Sequence, residues 1–141
     1  MGYTHYWTQT HEPEYMQWFE IMEHLKHIIE QAIEDGSMCI QAEDDDSSPV
    51  LITNDLIQFN GIGDQAYETF LLVKDDVAGF NFCKTSHMPY DLFVVYVLIL
   101  VHNLAPGCYV ITSDGNGIDW QKDLDQLNSI CETDYILPVT I

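Results

Sequence analysis

The stretch Pro89–Gly107, "PYDLFVVYVLILVHNLAPG", decides how the rest of the chain is read. Its middle is apolar on all sides, with neither strict alternation nor a polar stripe. At about 15 residues it is shorter than the roughly 20 a membrane span needs. Its β-branched residues would suit a strand, but its length predicts a buried helix. Pro89 suits the start of that helix, and Pro106-Gly107 marks its stop.

Working outward, short β-rich runs precede this segment: "VLI", "LIQF", "YETFLLV" and "GFNFCK". Asn54-Asp55, Asn60-Gly61-Ile62-Gly63 and "KDDVAG" separate them as turns, which predicts hairpin-connected strands. "CYVIT" follows as another strand, then the loop "SDGNG". "DWQKDLDQLNSIC" is an amphipathic helix with Trp120, Leu124, Leu127 and Cys131 inward, and Asp119 is read as its cap. "YILPVTI" is expected to add an edge strand, where Pro138 is tolerated best.

At the other end, "YTHYW" reads as a strand with Tyr3, His5 and Trp7 on one face. The clearest helix comes next. Tyr15, Trp18, Met22, Leu25, Ile29 and Ala32 form its stripe, widened by Phe19 and Ile28. Pro13 suits its first turn and Gly36 its end. "MCIQA" reads as a strand, and Glu43–Pro49 as a charged loop. Helices do not alternate strictly with strands. The expectation is one α+β domain over residues 1–141, a mostly antiparallel sheet packed with about three helices.

The 141 residues carry 23 acids against 4 bases, a net charge of -19. All the bases are lysines: Lys26, Lys74, Lys84 and Lys122. Apolar residues make up 47%, which excludes a disordered acidic tail. A surface negative nearly everywhere repels nucleic acid and anionic membranes and favours basic protein surfaces. The opening "MGYTHYWTQT" lacks the pattern of a secretory signal, and a cytoplasmic location is expected. Cys39, Cys83, Cys108 and Cys131 stand apart among apolar neighbours, as reduced core residues do.

Lys84 lies between a strand ending "FCK" and the apolar helix. A strand-to-helix turn gathers backbone N–H groups, so Lys84, Thr85, Ser86 and His87 could hold a phosphate or carboxylate. Asp91 opposes this, because it already places a negative charge in that first turn. The structural alternative is a Lys84–Asp91 contact with Thr85 or Ser86 as cap.

Other motifs fail their tests. "NGIGDQA" matches G-x-G-x-x-A, but a strand rather than a helix is expected next, so it reads as a glycine turn. "SDGNGID" lacks the ligands of a calcium loop at Ile118 and Asp119. Loose ion attraction at Glu43–Asp46 is weaker than a solvated loop as a reading. His24 and His27 are three apart on the first helix but have no third ligand, so ion pairs Glu20–His24 and Glu23–His27 are expected. No metal and no cofactor is implied, and no catalytic residue is specified.

"MGYTHYW", "FNGIGD", "ETF", "FCKT", "PYD" and "SDG" before "DW" form a set. As a set they resemble a family of small proteins of bacteria and their phages, over almost the whole chain. Members often carry His where this chain has Tyr67, and Lys where it has Met88. The resemblance implies a prokaryotic or phage cytosolic setting, the host cytoplasm if phage-encoded, and brings no activity with it.

Two functions follow as expectations. The first is an acidic accessory protein that binds a basic host protein surface as a counter-defence inhibitor. The alternative is a pocket that binds or cleaves a small phosphorylated ligand such as a nucleotide signal. Its candidates are Asn60, Gly61, Gly63, Lys84, Thr85, Ser86, Tyr90 and Asp91. A phosphate pocket with no arginine and one lysine is electrostatically poor, which favours the first.

Overall fold

The computed structural model describes residues 2–42 and 49–141. The charged loop and the acidic run Glu43–Asp46 therefore lie outside the described residues, except for Pro49. The architecture is α+β. Strand β1 is Thr4–Gln9, followed by helix α1, Tyr15–Asp35. Short strands β2 (Ile40–Gln41) and β3 (Leu51–Ile52) lead to β4 (Leu56–Gly61), a 3-10 turn at Gly63–Gln65 and β5 (Phe70–Val73). Then come β6 (Phe80–Lys84), α2 (Asp91–Leu104), β7 (Tyr109–Ser113) and α3 (Gly117–Cys131).

The Pro89–Gly107 stretch is the buried helix its length predicts. Every residue from Phe93 to Val101 in α2 is buried. Such a helix needs cover all round, and α1, α3 and β7 pack on it. Trp18, Leu25 and Ile28 of α1, Trp120 and Leu127 of α3, and Trp7 and Ile111 of the strands join it in one core.

Two antiparallel sheets complete the fold. In the first the order is β6-β1-β7, so β1 is central. In the second, β4 pairs with β2, β3 and β5. β1 alternates as expected: His5 and Trp7 are buried, while Tyr6 and Thr8 are half-buried. Gln9 joins the sheets. Its side chain donates to the Lys74 carbonyl at 2.7 Å and accepts from the Asp76 N–H. Trp18 donates its ring N–H to the Thr53 carbonyl at 2.9 Å, which fixes α1 against the β3–β4 turn.

Several local expectations are corrected. Glu14 caps α1, so Pro13 stands just outside it, while Gly36 ends the helix in the left-handed region as expected. Asn116, not Asp119, caps α3. Its side chain accepts from the N–H groups of Ile118 and Asp119, and the Asp119 carboxylate takes the Asn116 N–H at 2.8 Å. "YILPVTI" forms no strand; the Thr140 hydroxyl donates to the Ile111 carbonyl. Its missing proline N–H and an Asn128–Tyr135 side-chain clamp favour an irregular path. His24 meets the Tyr135 hydroxyl and His27 the Ile130 carbonyl, in place of the expected ion pairs with Glu20 and Glu23. Packing of α1 on α3 turns those rings away from their own helix. All four cysteines are free.

Two glycines make opposite predictions. A Cβ on Gly61 would stand 2.3 Å from the Gln65 carbonyl oxygen, a backbone atom with no freedom to move aside. Gly61→Ala should cost about 2 kcal/mol. A Cβ on Gly117, in the first turn of α3, would approach nothing closer than 3.4 Å. Gly117→Ala should gain about 0.5 kcal/mol. Urea denaturation of the two variants checks both signs.

Candidate functional site

The register of β1 against β7 sets His5 directly opposite Ser113. Directly opposed residues in an antiparallel pair put their side chains on the same face. His5 Nδ1 lies 2.7 Å from Ser113 Oγ. The other ring nitrogen, Nε2, lies 2.6 Å from Asp91 Oδ1, at the first residue of α2. The same carboxylate oxygen accepts from Thr85 Oγ1, also at 2.6 Å. Ser113 Oγ accepts the Gly115 N–H at 2.9 Å. The result is a continuous chain: Ser113, His5, Asp91, Thr85.

The chain assigns its own protons. A carboxylate only accepts, so Nε2 of His5 carries the hydrogen and donates it to Asp91. In the neutral ring Nδ1 is then bare, and the Ser113 hydroxyl donates to it. His5 is fully buried and Thr85 likewise, whereas Ser113 and Asp91 are half-buried at the surface. A buried, fully bonded polar chain of this kind is rigid.

The join between β6 and α2 positions Asp91. Ser86 and His87 both sit at positive φ, 51° and 61°. These two consecutive left-handed residues fold the chain back so that Thr85 faces Asp91. The amides of Thr85 and Ser86 donate to the Tyr3 carbonyl, Met88 to Thr85, and Asp91 to Met88. Those four N–H groups are therefore committed within the protein. The His87 ring stacks on Tyr3 with centroids 3.8 Å apart.

Lys84 does not contact Asp91, which corrects the alternative drawn from the sequence. Its Nζ lies 5.6 Å from the centre of the Tyr67 ring, and its stem packs by Gly2. Asp91 Oδ1 is taken by His5 and Thr85, and β6 directs Lys84 to the opposite face from Cys83. Asn60 is buried. Its amide oxygen takes the N–H groups of Gly61 and Tyr67, and its NH2 donates to the Tyr67 carbonyl and Thr69. Asn60 thus staples the 60–69 loop. Gly61 and Gly63 serve that loop's close approach and its positive φ of 60°. Tyr90 is buried and donates to the Glu68 carbonyl at 2.6 Å.

Of the candidates, Thr85 and Asp91 thus meet at one cluster, while Asn60, Lys84 and Tyr90 gather around Tyr67 and Glu68. His5 and Ser113 were not among them. The inward place of His5 in "YTHYW" was a signal, but its partner lies 108 residues away. Tyr3 completes the cluster: burial, then the negative charges of Asp91 and Asp119, push its hydroxyl up to about 12. Ser113 acts the other way on that hydroxyl. Gly115 leaves it room, since a Cβ there would collide with it. Among the described residues no group of three or more His, Cys, Asp or Glu is arranged to hold a metal.

Asp123 of α3 stands beside this cluster. Burial first, and the Asp91 charge second, push its carboxyl up to about 6 against the opposing influence of Lys122 and His5. A raised carboxyl binds its proton more readily in the folded state. Its stabilising contribution is present at acid pH and lost as pH rises from about 4 through about 6. Asp123→Asn should therefore gain on the parent protein across that window. Urea midpoints of the two proteins at each pH give the test, and parallel curves would refute it. No protein-family model, curated protein or solved structure matches the chain.

Proposed function

We propose that the protein acts by binding a basic protein surface through the outer face of the β6-β1-β7 sheet. One observation carries the reading. Phe80 and Phe82 are 62% and 56% exposed and Val110 is 52% exposed, on the sheet face turned away from the core. Tyr6 lies between them and stacks on Phe80 at 6.2 Å. Its hydroxyl donates to Asp114, and Asp75 and Asp76 flank Phe80 at the β5–β6 turn.

Aromatic rings beside carboxylates suit arginine and lysine side chains, which stack on the rings and pair with the acids. Three of the protein's four lysines are already engaged. Lys26 pairs with Glu23, Lys74 with Glu12, and Lys84 lies over Tyr67. A second copy of the chain is a poor occupant, because two bodies of charge -19 repel. The resemblance to bacterial and phage proteins fits a counter-defence inhibitor whose target is a basic host protein.

The phosphorylated-ligand reading has less support. The amides named above are internally bonded, Lys84 is held away, and Asp91 supplies the negative charge at the start of α2.

The test uses an arginine-rich peptide at low salt, with backbone NMR shifts as readout. Shifts should concentrate on β1, β6 and β7, and affinity should fall steeply as salt rises. Phe80→Ser combined with Phe82→Ser should weaken binding about tenfold without loss of fold. No binding, or shifts spread over α1 instead, would sink the proposal.

A further inference from the structure

The aromatic sheet face leaves the Ser113–His5–Asp91 chain without a role. We propose that Ser113 is a nucleophile, with His5 as its general base and Asp91 as the group that orients His5. The geometry meets the two hydrogen-bond requirements of such a set, at 2.7 Å and 2.6 Å. In its neutral form His5 presents the required tautomer, with Nδ1 free to take the Ser113 hydrogen. Three separate elements hold the groups in place, β7, β1 and the start of α2.

A candidate donor for a developing oxyanion is the Trp120 indole, which lies edge-on to the His5 ring with centroids 5.4 Å apart. The Trp120 ring N–H is buried with no hydrogen-bond partner among the described residues. A buried unpaired donor is costly, and an oxyanion is a partner that would satisfy it. The Tyr3 hydroxyl, packed against Gly115 two residues from Ser113, is a second candidate donor. The Gly115 N–H is already spent on Ser113 itself.

The reaction class is acyl transfer to water. Ser113 Oγ adds to an ester carbonyl while its proton passes to His5 Nδ1. The carbon–oxygen bond of the leaving group breaks, and His5 returns the proton to the departing alkoxide. Water then adds to the acyl-serine with His5 again as base, releasing the acid and restoring the serine. Asp114 and Asp119 are exposed beside this point, and Asp91 and Asp123 are half-buried. That rim repels anionic substrates and selects neutral or cationic esters.

A fluorophosphonate probe tests the nucleophile. Attack forms a Ser113 oxygen–phosphorus bond and expels fluoride, which intact mass and peptide mapping detect. Ser113→Ala should abolish the adduct, and Asp91→Asn should slow it about 100-fold. A folded parent protein that takes no probe at Ser113 would overturn the inference. So would equal labelling in a folded Asp91→Asn variant. Should Asp91→Asn unfold, the parent protein in urea is the control: labelling at Ser113 should be lost once the chain unfolds, and equal labelling of folded and unfolded protein would overturn the inference. Hydrolysis of paired nitrophenyl esters, one carrying trimethylammonium and one carboxylate, tests the class. Preference for the anionic ester would refute it.

Discussion

A helix with no polar face must be enclosed, and that requirement organises this protein. From Phe93 to Val101, α2 offers nothing that tolerates water. A surface helix needs one covered stripe, but α2 needs cover all round. Helices α1 and α3 and strand β7 provide it, with large rings such as Trp18 and Trp120 filling the gaps. The polar cluster follows from the same constraint. The start of the helix meets polar groups at Asp91, and there β1 brings His5 against it with Ser113 of β7 behind.

Much of this was legible in the residues. The length of the apolar run and its bounding prolines identified α2. The 3.6-residue stripe identified α1, and alternation in "YTHYW" turned His5 inward. These are local signals, and local physics produces them. Strand pairing is not local. Nothing near His5 in the sequence announces that Ser113 will lie opposite it, since the register of β1 and β7 joins positions 108 apart. The candidate site was therefore half seen. Thr85 and Asp91 were found from the strand-to-helix turn, but their partner was taken to be Lys84, a neighbour in sequence and charge. In the fold the carboxylate is taken by a histidine from the first strand. The same error of locality explains Asp119, where Asn116 caps the helix one turn earlier, and the histidines of α1, which bond to a neighbouring element.

The charge distribution gives the two sides of the first sheet different characters. Its inner face is a core with a saturated polar chain at one end. Its outer face shows aromatic rings among carboxylates. Burial decides which acids matter. Most acids among the described residues are exposed to water and act together as a diffuse field. Asp91 and Asp123 instead stand close enough to feel one another. A protein of this charge tolerates the pairing because Asp91 has His5 and Thr85 as donors.

The position of β1 in the middle of its sheet has a consequence for how the chain acquires its structure. Residues Thr4–Gln9 pair with Phe80–Lys84 on one side and Tyr109–Ser113 on the other. During synthesis this early segment waits, unpaired, until both late partners have emerged. Only α1 and the hairpins around β4 have partners close by in the chain. Loop closure over such separations slows folding, and it makes formation of the first sheet a late, cooperative event. The central strand is thus the last to be secured, although it is made before both of its partners.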